Sequence, residues 1–409
     1  MNILQVNCVY KEGSTGKIVA DLVKYLRAKG HRVSVAFGGG NTKPNIKRGE
    51  YKFTSSFESH IHVLFTKLGL SLYYGGMYLS TIRLLRYIKS EKPNLVHLHC
   101  INGSTVNIYR VLRYLGKKGI PTVVTHHAEF YYTGSCGHSF DCRKWIDSKC
   151  RGCEYVYQAS YSKTISRTHK AWLKMRNGFA NFEANKLIFT AVSPWVKFRS
   201  QQSLIVNQYN CVVIKNGVDT GVFHLHSNRN WVKEQVPNLK EKVVFHSTAS
   251  FQPSDTTHNK GGFYVVEMAK RMPDVTFIIA CIVNEDSDQL PSNIYLWGRA
   301  KTQEELAMLY SSSDVTLIAS RRETFSMICA ESLCCGTPVV GFRAGGPETI
   351  AIQEYSQFVE YGNMSELKSA LRKMLDEVWD KGIISAEGKK AFDKDSTLEQ
   401  YLHVYEQII

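Results

Sequence analysis

Short apolar runs alternate with helical patterns along the whole chain, strand first and helix second, and the series occurs twice. The runs are "MNILQV", "RVSVAF", "LVHLHC", "PTVVTHH" and "KLIFTAVS" in the first half, then "KVVFHSTAS", "VTFIIACIV", "NIYLWGR", "DVTLIAS" and "PVVGF" in the second. Strands joined by right-handed helical crossovers lie parallel, and the helices cover both faces of the sheet they make. A chain of 409 residues exceeds one ordinary core, so two such series imply an α/β protein of two Rossmann-like domains. Ligands of these sheets bind beyond the carboxyl ends of the strands, and two domains facing each other enclose a cleft. The junction is expected near "IKNGVDTGVFHLHSNRN", where a strand runs into turn residues, dividing the chain between residues 213 and 214.

Charge separates the two halves. Residues 1–210 hold 31 Lys and Arg against 10 Asp and Glu, a balance of +21, whereas residues 211–409 hold 20 against 26, a balance of −6. Such asymmetry points the first half toward an anionic partner: nucleic acid, an anionic membrane or a phosphorylated acceptor. No recognisable nucleic-acid module accompanies it, so nucleic acid is not expected. Asn2, Gln5 and Asn7 interrupt the opening strand and no small-residue cleavage site follows. The longest uncharged apolar run, Leu68 to Ile82, is shorter than the roughly 20 residues that span a bilayer. A cytoplasmic location is expected. Seven of the eleven cysteines lie in apolar or strand-like contexts and read as buried thiols of a reducing compartment.

The turn Gly13-Ser14-Thr15-Gly16-Lys17-Ile18 looks like the end of an NTPase phosphate loop. That loop needs four residues between its glycines and a Ser or Thr after the lysine; here two separate them and Ile18 follows Lys17. The NTPase reading fails on both counts. What remains is a glycine-containing turn where N–H groups at a helix N-terminus can face a phosphate.

The most informative stretch is "DVTLIASRRETFSMICAESLCCGTPVVGFRAGGPETI". A strand is expected to end at Ser320, followed by a polar turn, a helix from about Ser326 to Cys335, Gly336 as its cap and Pro338 opening the next strand. The N–H groups of Phe325, Ser326 and Met327 have no acceptor within the helix and suit a diphosphate. A carboxylate on the same element would repel phosphate, so Glu323 and Glu331 are expected to bind sugar hydroxyls. Glycoside hydrolysis needs two carboxyls about 5–9.5 Å apart across one bond, whereas eight helical residues separate these α-carbons by about 12 Å. Hydrolysis by this pair is therefore disfavoured.

This stretch, with "WGRAKTQEELAMLYSSS" before it and "IKNGVDTGVF" and "HNKGG" elsewhere, resembles the donor-site signature of the family-four retaining glycosyltransferases of GT-B fold. "THHAEFYYTGSCGHSFDCRKWIDSKCRGC" resembles, more narrowly, a segment of bacterial exopolysaccharide and O-antigen transferases, those of colanic acid among them. The resemblance implies a cleft between an acceptor domain, residues 1–213 with the C-terminal helix 394–409 crossing back to it, and a donor domain, residues 214–393. It implies a nucleotide-sugar donor carrying UDP or GDP and a glycan acceptor, lipid-diphosphate-linked, in surface polysaccharide synthesis. Glu331 would take the ribose hydroxyls and Glu323 those of the donor sugar. The N–H groups of Phe325, Ser326 and Met327, with Gly16 and Lys260, would hold the diphosphate. His127 matches the family's active-site histidine, and Gly298 lies where the base is held. His126 should point the opposite way on an extended chain and is taken as structural.

Two departures from the family stand out. No arginine precedes Lys260 in "STASFQPSDTTHNKGG", so either another cation substitutes, Arg322 being the candidate, or donor binding is weak. Ala128 replaces the aspartate common after the histidine, so any role for that acid is absent or passes to Glu129. The expected chemistry needs no metal, Lys260 and the helix at Ser326 standing where Mg²⁺ would. The alternative is a regulator or degenerate transferase that binds a sugar nucleotide without turnover.

Cys136, Cys142, Cys150 and Cys153 are separated by five, seven and two residues. Structural zinc, inert thiols and a disulfide all remain open for them. Basic residues recur at near-helical spacing in "STIRLLRYIKSEK" (Arg83, Arg86, Lys89) and "NIYRVLRYLGKKG" (Arg110, Arg113, Lys117), and again beside Trp172, Leu173 and Met175. Any one is a solvated face; together with the +21 balance they suggest peripheral binding to the inner face of an anionic membrane, with aromatic residues entering it.

Overall fold

The structure, a computed structural model, describes residues 1–228, 230–282 and 290–409; Arg229 and Val283 of the segments quoted above lie outside them. The chain divides into two compact units, Met1–Ile214 with Leu398–Ile409, and Lys215–Thr397.

The first unit is built on a parallel sheet of seven strands: β1 (Asn2–Asn7), β2 (Arg32–Phe37), β3 (Glu50–Lys52), β4 (Leu95–Leu98), β5 (Thr122–His126), β6 (Leu187–Ala191) and β7 (Asn210–Val213). Their spatial order is β3-β2-β1-β4-β5-β6-β7, so the winding reverses between β1 and β4. Val6 pairs with Leu98 and Leu98 with Val124, which brings the ends of β1, β4 and β5 to one edge. Helix Gly13–Ala28 buries Val19, Leu22, Val23 and Leu26, a stripe at helical spacing, against this sheet. Helix Lys394–Ile408 adds Leu398, Tyr401, Leu402, Tyr405 and Ile408 to the same core. Its first residues, to Thr397, belong to the second unit and the remainder to the first.

The second unit carries a parallel sheet of six strands: β8 (Lys242–Ser247), β9 (Val275–Ala280), β10 (Ile294–Gly298), β11 (Val315–Ile318), β12 (Val339–Phe342) and β13 (Ser356–Val359). Their order is β10-β9-β8-β11-β12-β13, reversing between β8 and β11. Val244, Phe277, Leu317 and Val340 meet Val265, Met268 and Ala269 of helix Gly262–Arg271 and Leu367, Leu371 and Met374 of helix Met364–Asp376. Inner strands buried on both faces are continuous apolar runs, which is why they stand out in the sequence. The short strands β3 and β13 were not expected; both lie at sheet edges, where one side needs no apolar partner.

One expectation is corrected here. Trp172 and Met175 do not face outward: both are fully buried in helix Thr168–Phe179, and Trp172 Nε1 donates to the carbonyl of Trp145 at 2.9 Å. They cannot enter a membrane. The cations on helices Tyr78–Glu91 and Ile108–Lys117 are exposed. Among the described residues no helix is long and apolar enough to cross a membrane.

Candidate functional site

In the second unit Lys260 and Glu323 meet just beyond the ends of β8 and β11, where the winding reverses and sheets of this type bind ligands. Two glycine contacts fix the meeting. Gly261 has φ +68°, and a Cβ there would lie 2.0 Å from the carbonyl oxygen of Ala319; only glycine lets the "HNKGG" turn close on the end of β11. Arg321 N–H donates to Asn259 O at 2.8 Å and the Asn259 amide donates to Arg322 O at 3.0 Å, binding the same two segments. From the other side a Cβ on Gly346 would lie 2.5 Å from Phe325 N, and Glu323 exchanges backbone bonds with Ala344 (3.0 Å) and Gly346 (2.8 Å). Gly346 of "RAGGPET" thus serves close approach.

The Glu323 carboxylate is 8% exposed and accepts from Lys260 Nζ and from Ser320 Oγ, each at 2.8 Å. Burial pushes its carboxyl up, but the Lys260 charge and the donated hydrogen bonds outweigh burial and hold it below the usual carboxylate range. Ser326 stands outside the helix, which runs Met327–Cys334: it is the N-cap, with φ +91°. The expected helix start is corrected accordingly. Of the three N–H groups, that of Met327 is in the first turn and those of Phe325 and Ser326 precede it. A positive φ on serine costs of order 1–3 kcal/mol and is kept where the fold around it demands the turn. Ser326 Oγ accepts from Cys329 N–H at 3.4 Å. Glu331, half-buried on the same helix, accepts from Tyr310 Oη at 3.2 Å. Arg322 is half-buried in the turn that carries Glu323. Gly298 ends β10 with φ +81° and open space where a side chain would project, its carbonyl accepting from Cys281 N–H at 2.9 Å.

In the first unit, Gly16 lies inside helix Gly13–Ala28 rather than in the turn before it. A Cβ there would meet Val9 Cγ2 at 3.1 Å, and its carbonyl accepts from Lys11 N–H at 3.0 Å. His127 follows β5. Its Nε2 is 3.2 Å from His99 Nδ1 and burial lowers its pKa to about 4, so the ring is neutral at pH 7. His126 is fully buried, stacked on Phe189 at 4.8 Å, with neither ring nitrogen hydrogen-bonded.

The family described as Glycosyltransferase Family 4 matches residues 15–222, and that described as Glycosyl transferases group 1 matches residues 256–377. The chain belongs to glycosyltransferase family 4. Over the full length of both chains it is 20% identical to a protein of Escherichia coli K12 named as the colanic acid biosynthesis glycosyl transferase WcaC. Its fold is that of sucrose-phosphate synthase from Thermosynechococcus elongatus (TM-score 0.67, 13% identity, 100% of this chain and 99% of that one). It is equally that of HepE of Anabaena in complex with UDP-glucose (TM-score 0.64, 16% identity, 99% of each chain). This is the GT-B fold.

Two further residues of this family-4 glycosyltransferase bear on these segments. Glu129, the candidate for the missing aspartate's role, is fully buried, accepts from Ser139 N–H at 2.7 Å and lies 3.4 Å from Arg199 Nε, in the loop after His127. Tyr310, whose hydroxyl orients Glu331, was not singled out in the sequence; a tyrosine in an amphipathic helix looks like core, and its ring is core.

The four clustered cysteines are free, with Cys136 and Cys150 buried and Cys142 and Cys153 half-buried. Among the described residues no three His, Cys, Asp or Glu side chains converge to hold a metal. Burial, with the neighbouring thiols of the cluster adding to it, pushes Cys150 up to about 12 and Cys136 well above the usual thiol range. As placed, they do not fit a zinc site. Metal analysis of protein purified without chelator should find far less than one zinc per chain, with all four thiols alkylated after unfolding. One zinc per chain and four protected thiols would overturn this.

Proposed function

We propose that this glycosyltransferase transfers a hexosyl group from a nucleotide-sugar, UDP- or GDP-linked, to a lipid-diphosphate-linked saccharide in bacterial surface polysaccharide synthesis, retaining the anomeric configuration. The observation that carries the reading is the Lys260–Glu323–Ser320 cluster before helix Met327–Cys334. The UDP-glucose complex of HepE favours uridine, and WcaC's name favours the polysaccharide.

When the bond from the sugar's anomeric carbon to the diphosphate breaks, negative charge gathers on the leaving oxygen. The ammonium of Lys260 has three donors and can serve Glu323 and a phosphate oxygen together. With the N–H groups of Phe325, Ser326 and Met327 it stabilises that charge without reorganising. Arg322, in the same turn, is the proposed second cation. Ionised Glu323 accepts from the sugar's hydroxyls and Glu331 from the ribose, while Gly298 leaves room for the base. Gly16 contributes to the diphosphate, and His127 meets the transferred sugar. The acceptor oxygen attacks from the side of the leaving group, and its proton goes to the departing diphosphate. Purified protein should melt at higher temperature with one of a panel of UDP- and GDP-sugars, and turnover with that sugar should survive chelator. No shift with any donor would overturn the reading, as would activity abolished by chelator and restored by Mg²⁺ alone.

The acceptor's lipid places the enzyme at a membrane surface, the cytoplasmic leaflet. Phe57, Ile61, Leu64, Phe65 and Leu68 form an exposed apolar stripe on and just after helix Ser56–Lys67. Glu58 accepts from the N–H groups of Leu79 and Ser80, each at 2.8 Å, tying to it the helix that exposes Leu79, Ile82, Arg83 and Arg86. Apolar side chains beside cations suit an anionic interface. Sedimentation with liposomes should require anionic lipid, fade with salt and weaken in a Phe57→Ser/Leu64→Ser variant. Equal recovery in the supernatant with neutral and anionic vesicles at low salt would rule this out.

A further inference from the structure

Six hydrogen bonds run from His127 into the interior of the first unit without a break. His127 Nε2 is 3.2 Å from His99 Nδ1, and His99 Nε2 is 2.7 Å from Gln5 Oε1. Gln5 Nε2 is 3.1 Å from Tyr405 Oη, which is 2.5 Å from His97 Nδ1. His97 Nε2 is 2.7 Å from Thr125 Oγ1, itself 2.6 Å from Thr190 Oγ1. Gln5, His97, His99, Thr125, Thr190 and Tyr405 are fully buried. Burial holds His97 and His99 well below, and Tyr405 well above, their usual ranges, so no member is charged at neutral pH.

A neutral imidazole has one N–H and one lone pair, a hydroxyl has one proton, and a glutamine amide has a donor end and an acceptor end. Gln5 turns its acceptor end to His99, so His99 carries its proton on Nε2 and accepts at Nδ1. His127 must then donate from Nε2, which leaves Nδ1 as its acceptor nitrogen. On the far side the Gln5 amide donates to Tyr405, Tyr405 to His97, and His97 to Thr125. From His127 to Thr125 no single bond reverses alone without setting two protons or two lone pairs face to face, whereas Thr125–Thr190 can run either way; a turn of the Gln5 amide reverses the run from His127 to Thr125.

We propose that Gln5 is a positioning residue that, through His99, sets the proton of His127 on Nε2, with Tyr405 holding the Gln5 amide in the required sense. The proposal rests on the reading that His127 meets the reacting sugar: the tautomer decides whether the ring presents a lone pair or an N–H at Nδ1. Because the series is neutral throughout, it orients His127 rather than charging it.

Nitrogen NMR of the full chain labelled in histidine decides the proposal without substrate. His99 and His127 should both be protonated at Nε2. The Gln5→Glu variant keeps an acceptor toward His99 and should keep this pattern; Gln5→Leu should scramble it at His127, and Tyr405→Phe should move part of the way. UDP release from UDP-glucose should fall at least tenfold in Gln5→Leu with KM within twofold, and be largely retained in Gln5→Glu. A wild-type His127 protonated at Nδ1 overturns the proposal, even where the variants fail to fold, and so does a Gln5→Leu protein with unchanged His127 signals. His127→Ala turning over at the wild-type rate, beside an intact wild-type pattern, would instead sink the reading beneath it.

Discussion

Glu323→Ala should lower turnover at saturating donor at least tenfold, about 1.4 kcal/mol of barrier or more, and leave the fold intact. The fold survives because Lys260, 37% exposed in the side chain, regains water when its partner goes. Turnover does not, because the variant loses both the hydroxyl acceptor at the reacting sugar and the carboxylate that fixes the ammonium in place. Steady-state rates and circular dichroism on the same preparation separate the two effects. A near-wild-type rate would remove Glu323 from the chemistry.

Lys260→Met should cut turnover at least as far, with an additional signature in pH. In the native protein the Lys260 charge and the donated hydrogen bonds outweigh burial and hold the Glu323 carboxyl low. A depressed folded-state pKa stabilises the fold above the unfolded value, and that contribution is lost as pH falls through the folded one. Without the lysine, burial dominates and Glu323 takes up its proton at higher pH. The acid limb of the rate profile should therefore move upward in Lys260→Met relative to wild type. An unmoved limb, or a variant as fast as wild type, would show that Lys260 serves neither the carboxylate nor the diphosphate.

The legible and illegible parts of this protein divide along physical lines. Strands such as β5 and β11 announce themselves because burial on both faces demands unbroken apolar runs; β3, with the sequence Glu50-Tyr51-Lys52, lies at an edge and obeys no such demand. The residues of the turn before helix Met327–Cys334 were readable because glycines and caps leave local marks, whereas the positive φ of Ser326 left none. The pairing of Lys260 with Glu323, 63 residues apart, is set by sheet order and by the close approach of Gly261 and Gly346, none of it local. Trp172 was misplaced because a basic helix looks the same whether its aromatic residue faces lipid or core. Glu129 and Arg199 left no local sign of their pairing.

Gln5 and Tyr405 are 400 positions apart yet hydrogen-bonded inside one core. A ribosome makes β1 first and makes Leu398–Ile408 only after the whole second unit, so the nascent amino-terminal sheet waits with an apolar face uncovered while about 180 further residues are added at ~5–20 per second. The second unit is contiguous in sequence and can close as soon as it emerges. The order of synthesis is therefore the reverse of the order of completion, and truncation within the last helix should trap a half-finished, aggregation-prone sheet beside a well-folded carboxyl-terminal unit.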